Sequence, residues 1–167
     1  YLWVQLDQNI RKKDSPSLLI EEGGISPAYA PSGFTKEFLT DPFDGGFNIE
    51  YVLDVNKKPL KYFVNQTMMR VDLPNILKSG ESYSFSIKWW YNIQDHVNQD
   101  GRSGYESFDK DGNRVYIIAQ FFPRMAVYNE VEGWQNYQFW GNGEFALPFG
   151  NYDVCLLYTS PSPRDVE

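Results

Sequence analysis

Val115 to Tyr128, Val-Tyr-Ile-Ile-Ala-Gln-Phe-Phe-Pro-Arg-Met-Ala-Val-Tyr, is the stretch whose reading decides the fold. It opens as an uncharged run of β-branched and aromatic residues, the pattern of a strand buried on both faces. Pro123 cannot donate to a ladder, so the strand is expected to stop near Phe122. Gln120 stands at its closing end. An uncharged polar side chain on an apolar strand needs hydrogen-bond partners, or costs about 1–3 kcal/mol when buried without them. Gln120 is therefore either satisfied within the domain or aimed into a site, and the irregular loop after a strand is a common place to build one.

Working outward, short alternating runs recur on both sides. Leu2, Val4 and Leu6 alternate with Tyr1, Trp3 and Gln5, as though the chain begins inside a strand. Asp7 to Asp44 reads as a long polar, Gly- and Pro-punctuated excursion with at most one short helix, Thr35 to Leu39. From Gly46, Phe47, Ile49, Tyr51, Leu53 and Val55 form one face of a half-buried strand closed by a turn at Asn56-Lys57-Lys58-Pro59. Tyr62 to Asp72 alternates as a further strand, and a Ser79-Gly80 turn leads into Ser82–Ile93, with Tyr83, Phe85, Ile87 and Trp89 on one face. Tyr105 to Phe108 and the Asp109–Asn113 turn feed the strand at Val115. Asn129 to Asn136 is irregular, and Asn151 to Val154 starts another strand.

This rhythm predicts an all-β fold, an antiparallel β-sandwich or saddle with long irregular loops, cut short at both ends. Ile49, Tyr51, Leu53, Phe85, Ile87, Val115 and Ile117 are its expected buried side chains. The 167 residues suit one domain, residues 1–154. Aromatics make up 17% of the chain, a ring content that favours sheets. With 15 Lys plus Arg against 22 Asp plus Glu, the formal charge is −7, which argues against nucleic acid as a partner. No apolar run is long enough for a membrane span. The compartment stays unassigned.

Most catalytic chemistries lack their residues. His96 is the only histidine and Cys155 the only cysteine, so neither a His- and Cys-based zinc set nor a Ser-His-Asp or Cys-His pair can be assembled. His96 reads as a solvated loop residue. Asp109-Lys-Asp-Gly-Asn113 opens like a calcium loop but lacks the closing Glu, and reads as a turn. Gly141-Asn-Gly143 lacks the glycine spacing and following helix of a phosphate loop. Asn65-Gln-Thr67 is a formal glycosylation acceptor inside a predicted strand. Glu130, Glu132 and Glu144 show no paired acid–base spacing and read as surface residues. Trp89-Trp90-Tyr91 reads as sandwich filling rather than a sugar platform.

Several of these segments together resemble a known family. They are Val64-Asn-Gln-Thr-Met-Met-Arg-Val-Asp-Leu-Pro74, Leu-Lys-Ser-Gly-Glu81, Ser-Phe-Ser-Ile-Lys-Trp-Trp-Tyr-Asn-Ile93, Ile118-Ala-Gln-Phe-Phe-Pro-Arg-Met-Ala-Val-Tyr128, Gly143-Glu-Phe-Ala-Leu147 and Tyr152-Asp-Val154. In order and spacing they are similar to the N-terminal domain of an aminopeptidase-N-type zinc metallopeptidase (a gluzincin) of the Bacteroidetes-like branch. The resemblance covers most of Tyr1 to Val154.

It implies a non-catalytic saddle-shaped β-domain preceding a zinc domain with a His-Glu-x-x-His motif, which this chain lacks. The parent enzyme would hydrolyse peptides. The fragment alone would be inactive, hold no zinc, and have its own catalytic domain and the peptide substrate as partners. The resemblance also assigns Gln120 to substrate binding, as the family's glutamine that helps hold the N-terminal residue of the peptide. Ala119 stands where the family usually has Thr, and Arg124 to Trp134 departs from the usual continuation. A second reading, a free-standing β-sandwich module binding a glycan or protein through Trp89, Trp134 and Trp140, stays open.

After Val154 the pattern breaks. Cys155-Leu-Leu-Tyr-Thr-Ser-Pro-Ser-Pro-Arg-Asp resembles a translated sequencing-adaptor tail, and Pro161 and Pro163 forbid a central strand. Residues 155–167 are expected to be a non-native or disordered tail. Deleting Cys155–Glu167 should leave the melting temperature nearly unchanged in a thermal scan, whereas a large fall would make the tail a folded part of the protein.

Overall fold

The computed structural model describes residues 1–16, 43–96, 103–110, 112–141 and 146–155. The fold is all-β and antiparallel. Its strands are β1 (Leu2–Gln5), β2 (Asn48–Asp54), β3 (Tyr62–Asn65), β4 (Met68–Val71), β5 (Phe85–Trp90), β6 (Ser103–Phe108), β7 (Asn113–Ile118), β8 (Arg124–Met125), β9 (Tyr128–Asn129) and β10 (Gly133–Trp134). A 3-10 helix, Asp7–Arg11, follows β1. Four strands form one sheet in the order β3-β4-β1-β8, and β2-β5, β6-β7 and β9-β10 form three two-stranded ribbons.

The core lies between the four-stranded sheet and the β2-β5 ribbon. Val4, Leu6, Met69 and Val71 come from the first side, Phe47 and Val52 from the second, and Leu60 from the connection between them. Tyr83, Phe85, Ile87, Trp89 and Tyr91 close it as the half-buried face of β5 and its flanks, the alternation expected from sequence. The chain crosses from one sheet to the other at Asn56–Lys58. There Asp54 Oδ1 accepts from the amides of Asn56 and Lys58 at 2.8 Å each, and Leu60 N–H returns to Val52 O at 2.9 Å.

Some expectations fail for identifiable reasons. A bulge between Ile49 and Tyr51 inserts one residue into β2, so Ile49 pairs with Trp89 but Val52, not Leu53, pairs with Ile87. One extra residue exchanges the two faces, which puts Val52 in the core and leaves Tyr51 exposed. Tyr62–Asp72 is two strands rather than one. The chain turns at Gln66-Thr67, with Gln66 at φ +54, and places the Asn65-Gln-Thr67 triplet at a hairpin tip. The stretch 129–136, expected to be irregular, carries the turn and second strand of the β9-β10 hairpin, whose turn is tied by Asn129 Oδ1 accepting from Val131 and Glu132 N–H at 3.0 and 2.7 Å. Residues 151–155 form no strand and are exposed. The Thr35–Leu39 helix and residues 156–167 lie outside the described residues.

The largest correction concerns β7. It pairs with β6 in full register, Ser103↔Ile118 to Phe108↔Asn113, but with no other described strand. Every residue of Asn113–Ile118 is exposed, Val115 and Ile117 at 51%. The strand also stops at Ile118 rather than near Phe122. An uncharged β-branched run thus specifies a strand without specifying that anything covers it. Ile117→Thr should accordingly change unfolding free energy by no more than about 0.5 kcal/mol, as a surface substitution does. Met69→Ala in the core should cost about 2–5 kcal/mol. Urea denaturation of both variants checks this ordering.

Candidate functional site

The 3-10 helix Asp7–Arg11 is polar by sequence yet Asp7, Gln8 and Asn9 are buried. Its backbone turns on short-range bonds, Asn9 N–H to Leu6 O at 2.9 Å and Lys12 N–H to Asn9 O at 3.2 Å, and this fans four side chains toward several remote segments. Asn9 Nδ2 donates to Gln66 O at 2.6 Å, while its Oδ1 accepts from Phe47 N–H at 2.8 Å. Arg11 Nη1 donates to Gln94 Oε1 at 2.6 Å. Gln8 Nε2 donates to Ala119 O at 2.8 Å, with longer contacts to Ser103 Oγ and Gln120 O at 3.3 and 3.4 Å. Asp7 forms an ion pair with Arg124 at the start of β8.

Glycine lets the chain approach this helix. A Cβ at Gly45 would stand 2.8 Å from Arg11 O, and one at Gly46, where φ is +87, would stand 2.4 Å from Lys12 Cγ.

Gln120 lies just past β7 and is exposed. Its φ of +53 is the left-handed conformation, which costs a non-glycine residue roughly 1–2 kcal/mol. The other two such residues among those described, Lys57 and Gln66, sit in turns between strands. The carbonyls around Gln120 are clamped from two sides, Ala119 O by Gln8 and by the Ser103 hydroxyl at 2.9 Å, and Phe121 O by Trp89 Nε1 at 3.2 Å. The backbone is thus held while the amide side chain is left to solvent, the arrangement of a presented rather than a packed glutamine.

Gln5, Asp7 and Arg124 form an incompletely satisfied polar patch. Gln5 and Arg124 are directly paired across β1 and β8. Gln5 Oε1 and Nε2, Asp7 Oδ1 and Arg124 Nε are buried without hydrogen-bond partners among the described residues. Burial pushes the Asp7 carboxyl above its ordinary value of 3.8, while the charge and hydrogen bond of Arg124 pull it down.

Two clefts stand out among the described residues, and Gln120 lines neither. One, of about 300 Å³, lies between the 3-10 helix, the β3-β4 turn and Gln138–Trp140. The other, of about 470 Å³, is more open and lies between Tyr1, Leu73–Leu77, Tyr128 and Trp134. Of the three tryptophans that could serve a binding module, Trp134 and Trp140 line these clefts, while Trp89 packs on the core.

Among the described residues no three His, Cys, Asp or Glu side chains converge. His96 is half-buried rather than solvated, because its backbone N–H bonds to Tyr105 O at 2.9 Å and draws it against β6; its Nδ1 is buried without a partner among the described residues. Glu130 and Glu132 are exposed, Glu144 lies outside the described residues, and Cys155 is exposed. Among the described residues no helix is long and apolar enough to cross a membrane. Comparison with protein-family models, with curated proteins and with solved structures finds no match to this chain.

Sequence reasoning singled out Gln120 and missed Asp7, Gln8, Asn9 and Arg124. A polar run after a strand reads as loop, and the one available signal was Leu6 and Ile10 bracketing it at a one-turn spacing. Because the folded-state pKa of Asp7 is raised, its contribution is fully present below pH 3.8 and is lost as pH rises through the folded value. Stability measured by urea from pH 3 upward should therefore fall in the native protein relative to Asp7→Asn across the acidic range, then run parallel. The opposite slope would mean that Arg124 outweighs burial.

Proposed function

We propose that this chain is the non-catalytic N-terminal β-domain of a zinc-dependent aminopeptidase. It walls the substrate cleft and offers Gln120 to the N-terminal residue of a peptide. The observation that carries the reading is Gln120 itself: an exposed amide in a left-handed conformation, with the carbonyls around it clamped by Gln8, Ser103 and Trp89. The order of the segments that resemble such N-terminal domains supports it independently.

In this reading the chain's residues position and recognise. Gln120 carries an amide that can accept from a protonated amine through Oε1 and donate to a backbone carbonyl through Nε2, with no charge of its own to desolvate. In this reading zinc belongs to the parent's catalytic domain, where it would supply activated water for peptide hydrolysis. No step of the chemistry runs through this domain.

Extending the reading frame tests the assignment, which requires a His-Glu-x-x-His segment downstream. In that longer protein Gln120→Ala should lower kcat/KM on aminoacyl substrates by about tenfold or more, with blocked N-termini affected less. A frame without the zinc motif, or a Gln120→Ala enzyme with unchanged kcat/KM, overturns it. The 167-residue chain alone should hydrolyse no aminoacyl reporter and hold no stoichiometric zinc.

A further inference from the structure

The cleft of about 300 Å³ has a floor and a rim of different character. Its floor is closed. Thr67 N–H and Oγ1 donate to Gln138 Oε1 at 2.9 and 2.7 Å, Phe139 N–H donates to Thr67 Oγ1 at 2.7 Å, Gln138 Nε2 donates to Asn65 O at 3.1 Å, and both ends of the Asn9 amide are engaged. A polar floor with its bonds made is rigid and makes little further demand on a ligand.

The rim is the reverse. Trp140 is 47% exposed, Gln66 is exposed beside it in the left-handed conformation at the hairpin tip, and Lys12 and Asp14 complete the edge. Neither Lys12 nor Asp14 forms an ion pair with another described residue. The Lys12 stem runs close over the glycine main chain, since a Cβ at Gly46 would stand 2.4 Å from Cγ and 2.8 Å from Cε. Its ammonium is therefore carried on a stem with restricted freedom.

One aromatic ring, one amide, one cation and one anion make a rim of zero net charge with donors and acceptors on several sides. A polyanion or polycation would meet a like charge there, and a purely apolar ligand would strand the polar groups. A ligand with an apolar C–H face for the indole and hydroxyls on its edge, each able to donate and accept, meets all four groups. We infer that this cleft binds a neutral saccharide, one sugar ring lying on Trp140 with hydroxyls to Gln66, Lys12 and Asp14. The site is separate from Gln120 and does not depend on the aminopeptidase reading.

The test is saturation-transfer and chemical-shift NMR on the 167-residue chain with maltose, cellobiose and N,N′-diacetylchitobiose as probes, and leucine and Leu-Gly as zwitterionic controls. At least one disaccharide should perturb resonances confined to the cleft. Trp140→Ala should weaken binding about tenfold, with far-UV circular dichroism unchanged. Asp14→Asn, at an exposed position that cannot threaten the fold, should weaken binding severalfold. No response to any disaccharide at millimolar concentration, binding that both variants leave intact, or binding of the zwitterions alone would overturn the inference.

Discussion

The structure depends on the requirement that buried backbone groups find partners, and here the partners come from a few side chains of Asp7–Arg11. Asn9 satisfies a carbonyl at the β3-β4 turn and an amide leading into β2, so the two layers of the core are tied through one side chain. Gln8 satisfies the Ala119 carbonyl just past β7, and Arg11 donates to the side-chain oxygen of Gln94. These pairs are separated in sequence by 38 to 111 positions, so the helix acts as a hub that short strands could not supply by their own ladders. Strands of two to seven residues in one four-stranded sheet and three ribbons have few ladder bonds to hold them in place.

How much of this was legible follows from what the physics writes into neighbouring residues. The face Tyr83, Phe85, Ile87, Trp89 is written as simple alternation and is present as read. Turns at Asn56–Lys58 and Ser79-Gly80 are written in residues that favour them and both occur, and of the expected Asp109–Asn113 turn Asp109, Lys110 and Gly112 are in a turn while Asn113 already opens β7. What failed was non-local. The bulge that hides Val52 and exposes Tyr51 is set by pairing with β5, and the turn at Gln66 is held by Asn9, 57 positions away. The exposure of Val115–Ile118 depends on which strands lie alongside, and no local pattern encodes that.

The candidate site shows the same division. Gln120 was recognisable because an amide beside an apolar run and ahead of a proline is a local anomaly. Its support was not, because Gln8 and Trp89 approach it from remote segments. The patch of Gln5, Asp7 and Arg124 was invisible for the same reason: Gln5 and Arg124 become neighbours only through the β1-β8 pairing. That patch keeps polar atoms buried without partners among the described residues, on Asp7 next to the Gln8 that holds this loop and on Arg124 four positions after Gln120.

The most direct test of the hub is the substitution Asn9→Ala, measured by urea denaturation together with amide hydrogen exchange. Loss of both bonds leaves Gln66 O and Phe47 N–H without their partner, each costing about 1–3 kcal/mol if it stays buried. The account predicts a loss of about 2–4 kcal/mol and a selective fall in protection at Phe47, while amides in the β6-β7 ribbon keep theirs. A variant within about 0.5 kcal/mol of the parent, with Phe47 still protected, would contradict it.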